Sequence, residues 1–228
     1  MQLLTGFVAS FLYLETPNSP MHISGLGIYS QETVPGGIVR FKEIIAATAA
    51  RVQRVASLTR KLQSGPLGPD HPYWIDDSNF DPEFHIRHAA LPAPGDWRQL
   101  CIMVSRIHAR PLDRSRPLWE MHVIEGLDNV EGYPPGCFGL FTKMHHAAVA
   151  KNLMRHRRGE LERDGKVPRT RINKTVTPHR VFSAASLPLQ EVKAVKDAVP
   201  GATVNDVALT IVGGAMRAYL KKHGELPK

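Results

Sequence analysis

The sequence predicts an α/β fold, because helical and strand-like segments alternate along the 228-residue chain and many turns separate them. Hydrophobic residues make up 43% of the chain and charged residues 22%, which is ordinary usage for a globular protein. The 18 glycines and 18 prolines indicate frequent turns. The length is sufficient for one or two domains with a real hydrophobic core.

The predicted elements follow from the spacing of hydrophobic residues. Loosely alternating β-favouring residues indicate strands, and hydrophobic residues three or four positions apart indicate helices. A turn cluster at 16–20 ends a short apolar segment at 10–15, and glycine–proline pairs place a loop at 64–72. In chain order, the patterns predict a strand at 21–29, a helix at 38–62, short strands at 73–75 and 84–88, a helix at 97–110, strands at 119–124 and 137–145, a strand-like segment at 181–187, and helices at 189–199 and 203–222.

The positive charge is concentrated in one stretch. Residues 151–180 contain ten lysines and arginines against three acidic residues, so they carry most of the net charge of +8. Such a stretch can attract anionic phospholipid, a phosphate-bearing cofactor or nucleic acid, or it can be a solvated connector. No aromatic residue interrupts it as a base-stacking surface requires, so nucleic acid is not an expected partner.

The cysteines and the hydropathy pattern indicate the compartment. Two cysteines, Cys101 and Cys137, do not make a disulfide framework, and there is no Cys-x-x-Cys motif. We therefore expect a reducing, cytoplasmic environment. The first residues do not resemble a signal peptide, and no run of about 18 apolar residues predicts a membrane span. Any contact with a membrane is expected to be peripheral.

His145 and His146 form the most informative motif, at the end of a strand-like run. Neighbouring residues on a strand point to opposite faces, so the two rings cannot readily bind one ion, and no metal site is expected. A histidine at a strand end is a plausible general base, because a neutral ring with a pKa of about 6.5 can accept a hydroxyl proton. A satisfied core histidine is the alternative.

Four segments carry a resemblance to a known family. They are Met-His at 21–22, Pro-Leu-Asp-Arg-Ser-Arg-Pro-Leu-Trp-Glu at 111–120, Lys-Met-His-His-Ala at 143–147, and Val-Asn-Asp-Val-Ala-Leu at 204–209. In this order they resemble segments of bacterial wax ester synthase/diacylglycerol acyltransferases, and the resemblance extends from Phe11 to Leu226. The decapeptide at 111–120 is its most specific part.

The resemblance implies a fold and a reaction. The family is similar to chloramphenicol acetyltransferase and to condensation domains, which are two-layer sandwiches of two α/β halves with a substrate channel between them and a His-His-x-x-x-Asp-Gly motif. It implies that His146 takes a proton from a fatty alcohol or diacylglycerol, whose oxygen attacks long-chain acyl-CoA to form wax ester or triacylglycerol. Acyl-CoA is then a co-substrate, no cofactor is expected, and His145 is structural.

The decapeptide and the 204–209 segment supply the supporting residues. Alternating charges before a strand are typical of a solvated turn, of an arginine–carboxylate lattice that joins strand ends, or of substrate contacts, and we favour the lattice. A helix N-cap explains the polar residues after Thr203, while the resemblance places them beside the channel. The supporting residues are Pro111, Leu112, Asp113, Arg114, Arg116, Pro117, Trp119, Glu120, Asn205 and Asp206.

The motif is interrupted after Val149. Ala150-Lys151 stands where the family has Asp-Gly, whose aspartate is expected to pair with an arginine and hold the histidine loop. We expect an N-terminal acyltransferase half-domain at 1–150, a basic connector at 151–180, and the start of a C-terminal half-domain at 181–228. Natural degeneration, deliberate deletion and an omitted segment remain open, and the abrupt change of character after residue 150 favours the last two.

Two functions are compatible with this pattern. The first is an acyltransferase that needs the missing C-terminal half and works at the surface of a membrane or lipid droplet, so that this chain alone is inactive. The second is a non-catalytic relative that binds lipid or a partner and has lost the Asp-Gly pair. The coding sequence or the intact mass separates them, because only the first predicts Asp-Gly after Val149.

Overall fold

The computed structural model describes residues 1–65, 71–150 and 170–227. These residues form two compact units. The first unit contains residues 1–65 and 71–150 together with Thr177–Phe182, and the second contains residues 170–176 and 183–227. The predicted half-domain at 1–150 thus lies in the first unit, whereas most of the predicted connector, residues 151–169, lies outside the described residues.

The first unit contains a main sheet of four strands and a small sheet of three. Strand order is β2-β7-β6-β5 in the main sheet and β1-β4-β3 in the small one. Strand β7 pairs antiparallel with β2 and β6, and β5 pairs parallel with β6. The elements are β1 (Gln2–Leu3), α1 (Gly6–Leu14), β2 (His22–Tyr29), α2 (Phe41–Val52), a 3₁₀ turn (Ala56–Leu58), β3 (Arg60–Gln63), β4 (Tyr73–Asp76), α3 (Pro82–His85), β5 (Ile86–Ala90), α4 (Trp97–Ala109), β6 (Trp119–Glu125), β7 (Phe138–His145) and α5 (residues 146–150).

Helices pack on both faces of the main sheet. Helix α4 begins at a capping box of Asp96 and Gln99, and its buried stripe packs against one face. Helix α2 packs against the other face. The α4 core contains Leu91, Leu100, Val104, Ile107, Ile124, Leu127, Val130, Cys137 and Phe141.

A third apolar cluster lies around the start of α5 and holds this helix in place. Helix α1 contributes Val8, Ala9 and Leu12, and Leu118 lies immediately before β6. Side chains of Leu62 and Trp74 from the small sheet pack against the same cluster. The α5 members are Ala147, Ala148 and Ala150.

The second unit consists of a 3₁₀ turn (Arg171–Asn173), α6 (Leu189–Asp197) and α7 (Val204–Lys222). Thr203 is the N-cap of α7: its hydroxyl accepts the Asp206 backbone N–H at 3.3 Å, and the Asp206 carboxylate accepts the Thr203 backbone N–H at 2.7 Å. This reciprocal pair satisfies two free donors at the helix start.

The predicted α/β class is confirmed, but three predicted elements differ. The helix predicted at 38–62 ends at Val52, because residues 60–63 pair with β4 as a strand. The strand predicted at 84–88 is split, since Pro82 begins a short helix that Asp81 caps before β5 starts. Residues 181–187 form neither strand nor helix, and Val181 is 99% exposed.

None of the helices in the described ranges is both long and apolar enough to cross a bilayer. Within the same residues, no group of three or more His, Cys, Asp and Glu side chains is arranged to hold a metal ion.

Substituting Leu100 with alanine tests the α4 core. Leu100 is 0% exposed in this core, whereas Ile102 on the same helix is 37% exposed. We expect Leu100→Ala to lower the free energy of unfolding by about 2–5 kcal/mol, because it leaves a cavity. The matched variant Ile102→Ala should cost much less. Urea unfolding of both variants measures the difference, and equal losses would contradict the assigned packing.

Candidate functional site

Two backbone hydrogen bonds hold the histidine pair at the end of β7. The His145 backbone N–H donates to the Leu118 carbonyl at 3.0 Å, and the His146 backbone N–H donates to the Met21 carbonyl at 2.9 Å. Leu118 precedes β6 and Met21 precedes β2. The turn between β7 and α5, the His145–His146 turn, is therefore fixed from both neighbouring strands.

The two rings have different environments. The expectation that both histidines lie on a strand is wrong for His146, which is the first residue of α5. His145 is 1% exposed, and its Nδ1 accepts the Ala147 backbone N–H at 3.0 Å. A neutral His145 ring therefore carries its proton on Nε2. The half-buried His146 ring packs beside Phe11, with 5.3 Å between ring centroids.

Glu15 lies against His145. One carboxylate oxygen, Oε2, is 3.6 Å from His145 Nε2 and accepts from Arg114 Nε at 3.0 Å. The other oxygen accepts the Met21 backbone N–H at 3.0 Å, and Arg114 Nη2 also donates to the Leu12 carbonyl at 2.9 Å. Arg114 and Glu15 thus connect the end of α1, the start of β2 and the His145 ring.

Burial and charge shift the pKa values of this pair. Burial raises the pKa of Glu15, but the hydrogen bonds from Arg114 and from the Met21 backbone outweigh it and hold the pKa below its ordinary value. Burial lowers the pKa of His145, against the opposing charge of Glu15. Glu15 is therefore the charged partner and His145 the neutral one at physiological pH.

Glu15 was missed by the sequence reasoning. It is the one acidic residue among the first 31 residues, and it ends an apolar segment. A single acidic residue at the end of an apolar segment could have indicated a functional or structural role. The contact with Arg114, however, joins residues 99 positions apart and can be seen only in the folded chain.

Residues 111–118 of the decapeptide form a braced turn before β6, and its last two residues begin that strand. Asp113 accepts hydrogen bonds from the Ser115 backbone N–H at 2.9 Å and from the Ser115 hydroxyl at 2.7 Å. The Arg116 guanidinium lies 3.7 Å from the Phe84 ring centroid and 3.8 Å from the Asp113 carboxylate. Arg114, by contrast, reaches Glu15.

The remaining decapeptide residues pack around Trp119. Its indole N–H donates to the Leu58 carbonyl at 2.8 Å, and its ring stacks on buried His85 at 4.6 Å between centroids. Leu112 and Pro117 are buried, and Pro111 is exposed. A cavity of about 140 Å³ in the first unit is lined by these elements, including Pro111, Leu112, Asp113, Arg116, Pro117, Trp119 and Glu120.

Glu120 forms a buried ion pair with Lys143 on the neighbouring strand β7. His122 Nε2 also lies 3.5 Å from the Glu120 carboxylate. Burial raises the pKa of Glu120, but His122 and Lys143 more than reverse this effect and lower the pKa to about 2. Lys143 was not predicted as a site residue, although strand alternation places it on the same face as buried Phe141 and His145.

Two further histidines lie on this α4 side of the sheet. His22 Nε2 donates to the His108 carbonyl at 2.8 Å, and His108 Nδ1 is 2.8 Å from the Ser24 hydroxyl. Burial lowers the pKa of His22 to about 4, and the charge of Lys143 acts in the same direction. His22 is therefore a neutral ring. It lies next to the His145–His146 turn, because His22 and His145 are register partners.

Asn205 and Asp206 lie in the second unit, at the start of α7, where Asp206 completes the Thr203 capping box. Ala150, at the motif position of the aspartate, is 0% exposed and belongs to the apolar cluster around α5. Lys151 lies outside the described residues.

Replacing Arg114 with methionine tests the Glu15 pair. We expect a loss of about 1–3 kcal/mol in the free energy of unfolding, because Glu15 would keep its charge while losing its main partner. The loss should stay below the roughly 3–5 kcal/mol of a fully buried pair, since the Arg114 side chain is 45% exposed. Arg116→Met is the matched control and should cost less. Normal stability of Arg114→Met would favour a substrate contact instead.

The Glu120 carboxylate predicts a pH dependence of stability. A folded-state pKa of about 2, below the ordinary 4.5, stabilises the fold above pH 4.5, and this contribution is lost as the pH falls toward 2. The difference in unfolding free energy between the wild type and Glu120→Gln should be greatest near neutral pH and shrink toward about pH 2. Urea unfolding at a series of pH values measures it. The exposed control Glu131→Gln should change stability by only about 0.5 kcal/mol; a pH-independent Glu120→Gln difference would contradict the pairing.

The sequence matches the model of a known protein family. The sequence model of the wax ester synthase/diacylglycerol acyltransferase catalytic domain matches residues 4–156 and 150–208. The two matched parts overlap at residues 150–156, a range that begins four residues after His146.

Named relatives agree with this match. A provisionally named diacylglycerol O-acyltransferase of Mycobacterium tuberculosis (strain ATCC 25618 / H37Rv) is 30% identical over 291 residues, covering 100% of this chain and 57% of the relative. A second such protein of the same strain is 33% identical over 281 residues, covering 96% of this chain and 60% of the relative. The chain therefore spans less than two thirds of these relatives, and the aligned regions are longer than its own 228 residues.

A solved structure gives the same result. The wax ester synthase/diacylglycerol acyltransferase from Marinobacter aquaeolei VT8 is 31% identical, with a TM-score of 0.68, over 100% of this chain and 62% of that protein. The family predicted from the sequence is confirmed by these matches. The chain belongs to the wax ester synthase/diacylglycerol acyltransferase family.

Proposed function

We propose that this chain supplies the histidine half of an acyl-CoA-dependent O-acyltransferase, with His146 as the general base. The observation that carries the proposal is that the two rings of the His145–His146 turn have different environments. His145 is buried and its Nδ1 is used by the Ala147 backbone, whereas the His146 ring is half-buried on a backbone fixed by Met21. His145 is then structural, as the N-terminal brace of α5.

The proposed reaction needs one proton acceptor and no acyl-enzyme. The His146 ring takes the hydroxyl proton of the acceptor as its oxygen attacks the thioester carbonyl of acyl-CoA. When the carbon–sulfur bond breaks, the CoA sulfur leaves and the proton returns to it from the His146 ring. The products are an ester and free CoA. Long-chain acyl-CoA with a fatty alcohol gives a wax ester, and with diacylglycerol it gives triacylglycerol; the names of the relatives support these two acceptor classes.

The complete reaction requires more than these 228 residues. We propose that a C-terminal half completes the substrate channel, since the matched relatives are substantially longer than this chain. Apolar substrates favour work in the cytoplasm at the surface of a membrane or lipid droplet. The basic stretch at 151–180 would suit an anionic surface, although residues 151–169 lie outside the described part of the chain.

A non-catalytic lipid- or partner-binding relative is the second candidate. The observation that favours it is Ala150, which places a buried methyl group at the motif position of the aspartate. The intact mass of the natural protein and its coding sequence distinguish the candidates. A longer product with Asp-Gly after Val149 supports the enzyme, and a true Ala150-Lys151 bond supports the relative without activity.

Separate alanine variants of the two histidines test the proposed base in the full-length protein. We expect His146→Ala to lower acyl transfer by roughly 10²- to 10⁴-fold with little loss of stability, because it removes the proton acceptor. His145→Ala should retain more activity and mainly lower the melting temperature, since it removes the brace of α5. The measurement is CoA release from palmitoyl-CoA with hexadecanol or diacylglycerol as the acceptor.

The 228-residue chain alone is the control and should not turn over. Equal retention of activity in both histidine variants would reject His146 as the base. A soluble 228-residue monomer with His146-dependent turnover would show that neither Asp-Gly nor a C-terminal half is needed.

A further inference from the structure

Lys143 occupies an unusual position for a lysine. It lies on the central strand β7, two residues before His145, and is 0% exposed. Lysine is almost never fully buried unless its charge is paired. Neither the proposed proton transfer nor the family resemblance assigns it a role.

All three donors of the Lys143 ammonium group are used within the first unit. Nζ donates to the Ile107 carbonyl at 2.9 Å and to the Arg110 carbonyl at 2.8 Å, and its third partner is the Glu120 carboxylate. An ammonium group has three donors, so this set leaves none free. The side chain is therefore held at one position.

These three partners come from two different elements. Ile107 and Arg110 lie at the C-terminal end of α4, where the helix presents carbonyl oxygens and a positive charge is favourable. Glu120 is the register partner of Lys143 on β6. Lys143 thus joins α4, β6 and β7 immediately below the His145–His146 turn.

The same group also places the start of the decapeptide. Arg110 directly precedes Pro111, and the decapeptide ends at Glu120, the acidic partner of Lys143. One ammonium group therefore contacts the residue before the decapeptide and the last residue of the decapeptide. Arg114 within the turn reaches Glu15, which lies against the His145 ring.

We propose that Lys143 is a positioning residue for the acyl transfer proposed above: its ammonium group fixes the end of α4 and both ends of the decapeptide, and so holds the His145–His146 turn where the His146 ring can accept the proton. The inference rests on that proposed function for its effect on turnover. Its structural part, the placement of the two rings, can be measured without turnover.

The test must separate the loss of the tether from the loss of charge balance. Lys143→Met alone leaves Glu120 charged and unpaired, which can prevent folding. Glu120→Gln is milder, because an amide oxygen can still accept from Lys143 and the Ile107 and Arg110 carbonyls remain as partners. The informative comparison is therefore between Glu120→Gln and the double variant Glu120→Gln/Lys143→Met, in the full-length protein. Lys61→Met is the matched control. Lys61 lies on β3 of the small sheet and also forms an ion pair, with Asp77 at 2.9 Å, but it does not contact the main sheet pair of Glu120 and Lys143.

Relative to Glu120→Gln, we expect the double variant to lower kcat by about 10²-fold, since a displacement of about 1 Å at a reacting group has an effect of this size. The KM for acyl-CoA should change little between these two variants. Both are assayed well below their melting temperatures, because the double variant also leaves the Ile107 and Arg110 carbonyls without the Lys143 donor. Lys61→Met should lower the melting temperature without changing kcat. Equal kcat values for Glu120→Gln and the double variant would overturn the proposal.

Ring nitrogen NMR signals of His145 and His146, assigned with His→Gln variants, give a second measurement that needs no activity. We expect these signals to shift or multiply in the double variant relative to Glu120→Gln, and to remain in place in Lys61→Met. Unchanged signals would overturn the positioning role. A wild type that shows no acyl transfer would reject the proposed function alone, because the ring signals still report whether Lys143 places the turn.

Discussion

The structure of the first unit depends on the register of β7 between β2 and β6. His22 pairs with His145 on one side and Glu120 pairs with Lys143 on the other. Because side chains alternate along a strand, this register places Lys143 and His145 on the α4 face. A shift by one residue would move the lysine charge to the α2 face, away from Glu120. The ion pair and the position of the His145–His146 turn are thus set by the same constraint.

That register also creates an electrostatic requirement, since charged groups in the interior are stable only when they are paired. Near the histidine turn, the pairs Lys143–Glu120 and Arg114–Glu15 meet this requirement, while burial lowers the pKa values of His22 and His145 and keeps these rings neutral. The face of the sheet next to the histidine turn is consequently polar but nearly balanced in charge. Buried polar side chains favour one arrangement of the chain over others, because each buried donor needs its own acceptor.

The sequence predicted those parts of the fold that have a local cause. Alternation located β7, and a stripe of hydrophobic residues located α4. Local patterns failed where pairing between distant segments decides the structure: residues 60–63 continue a helical spacing but become β3 because β4 is available. For the same reason Glu15 was missed, while the histidine pair and the decapeptide could be identified from their own residues. The roles proposed for the two histidines, His146 as general base and His145 as a structural residue, are predictions that activity measurements test.

Ala150 raises the question of what holds the histidine turn without the motif aspartate. Its methyl group is buried among the α1 residues and Leu118, so the first turn of α5 is held by apolar packing. Arg114, which could have paired with an aspartate, instead binds Glu15, and Glu15 contacts both the Met21 backbone and His145. The backbone bonds from Leu118 and Met21 are independent of residue 150. The geometry of the two rings therefore has sources outside the Asp-Gly pair, so the backbone of the turn is held whichever residue stands at position 150.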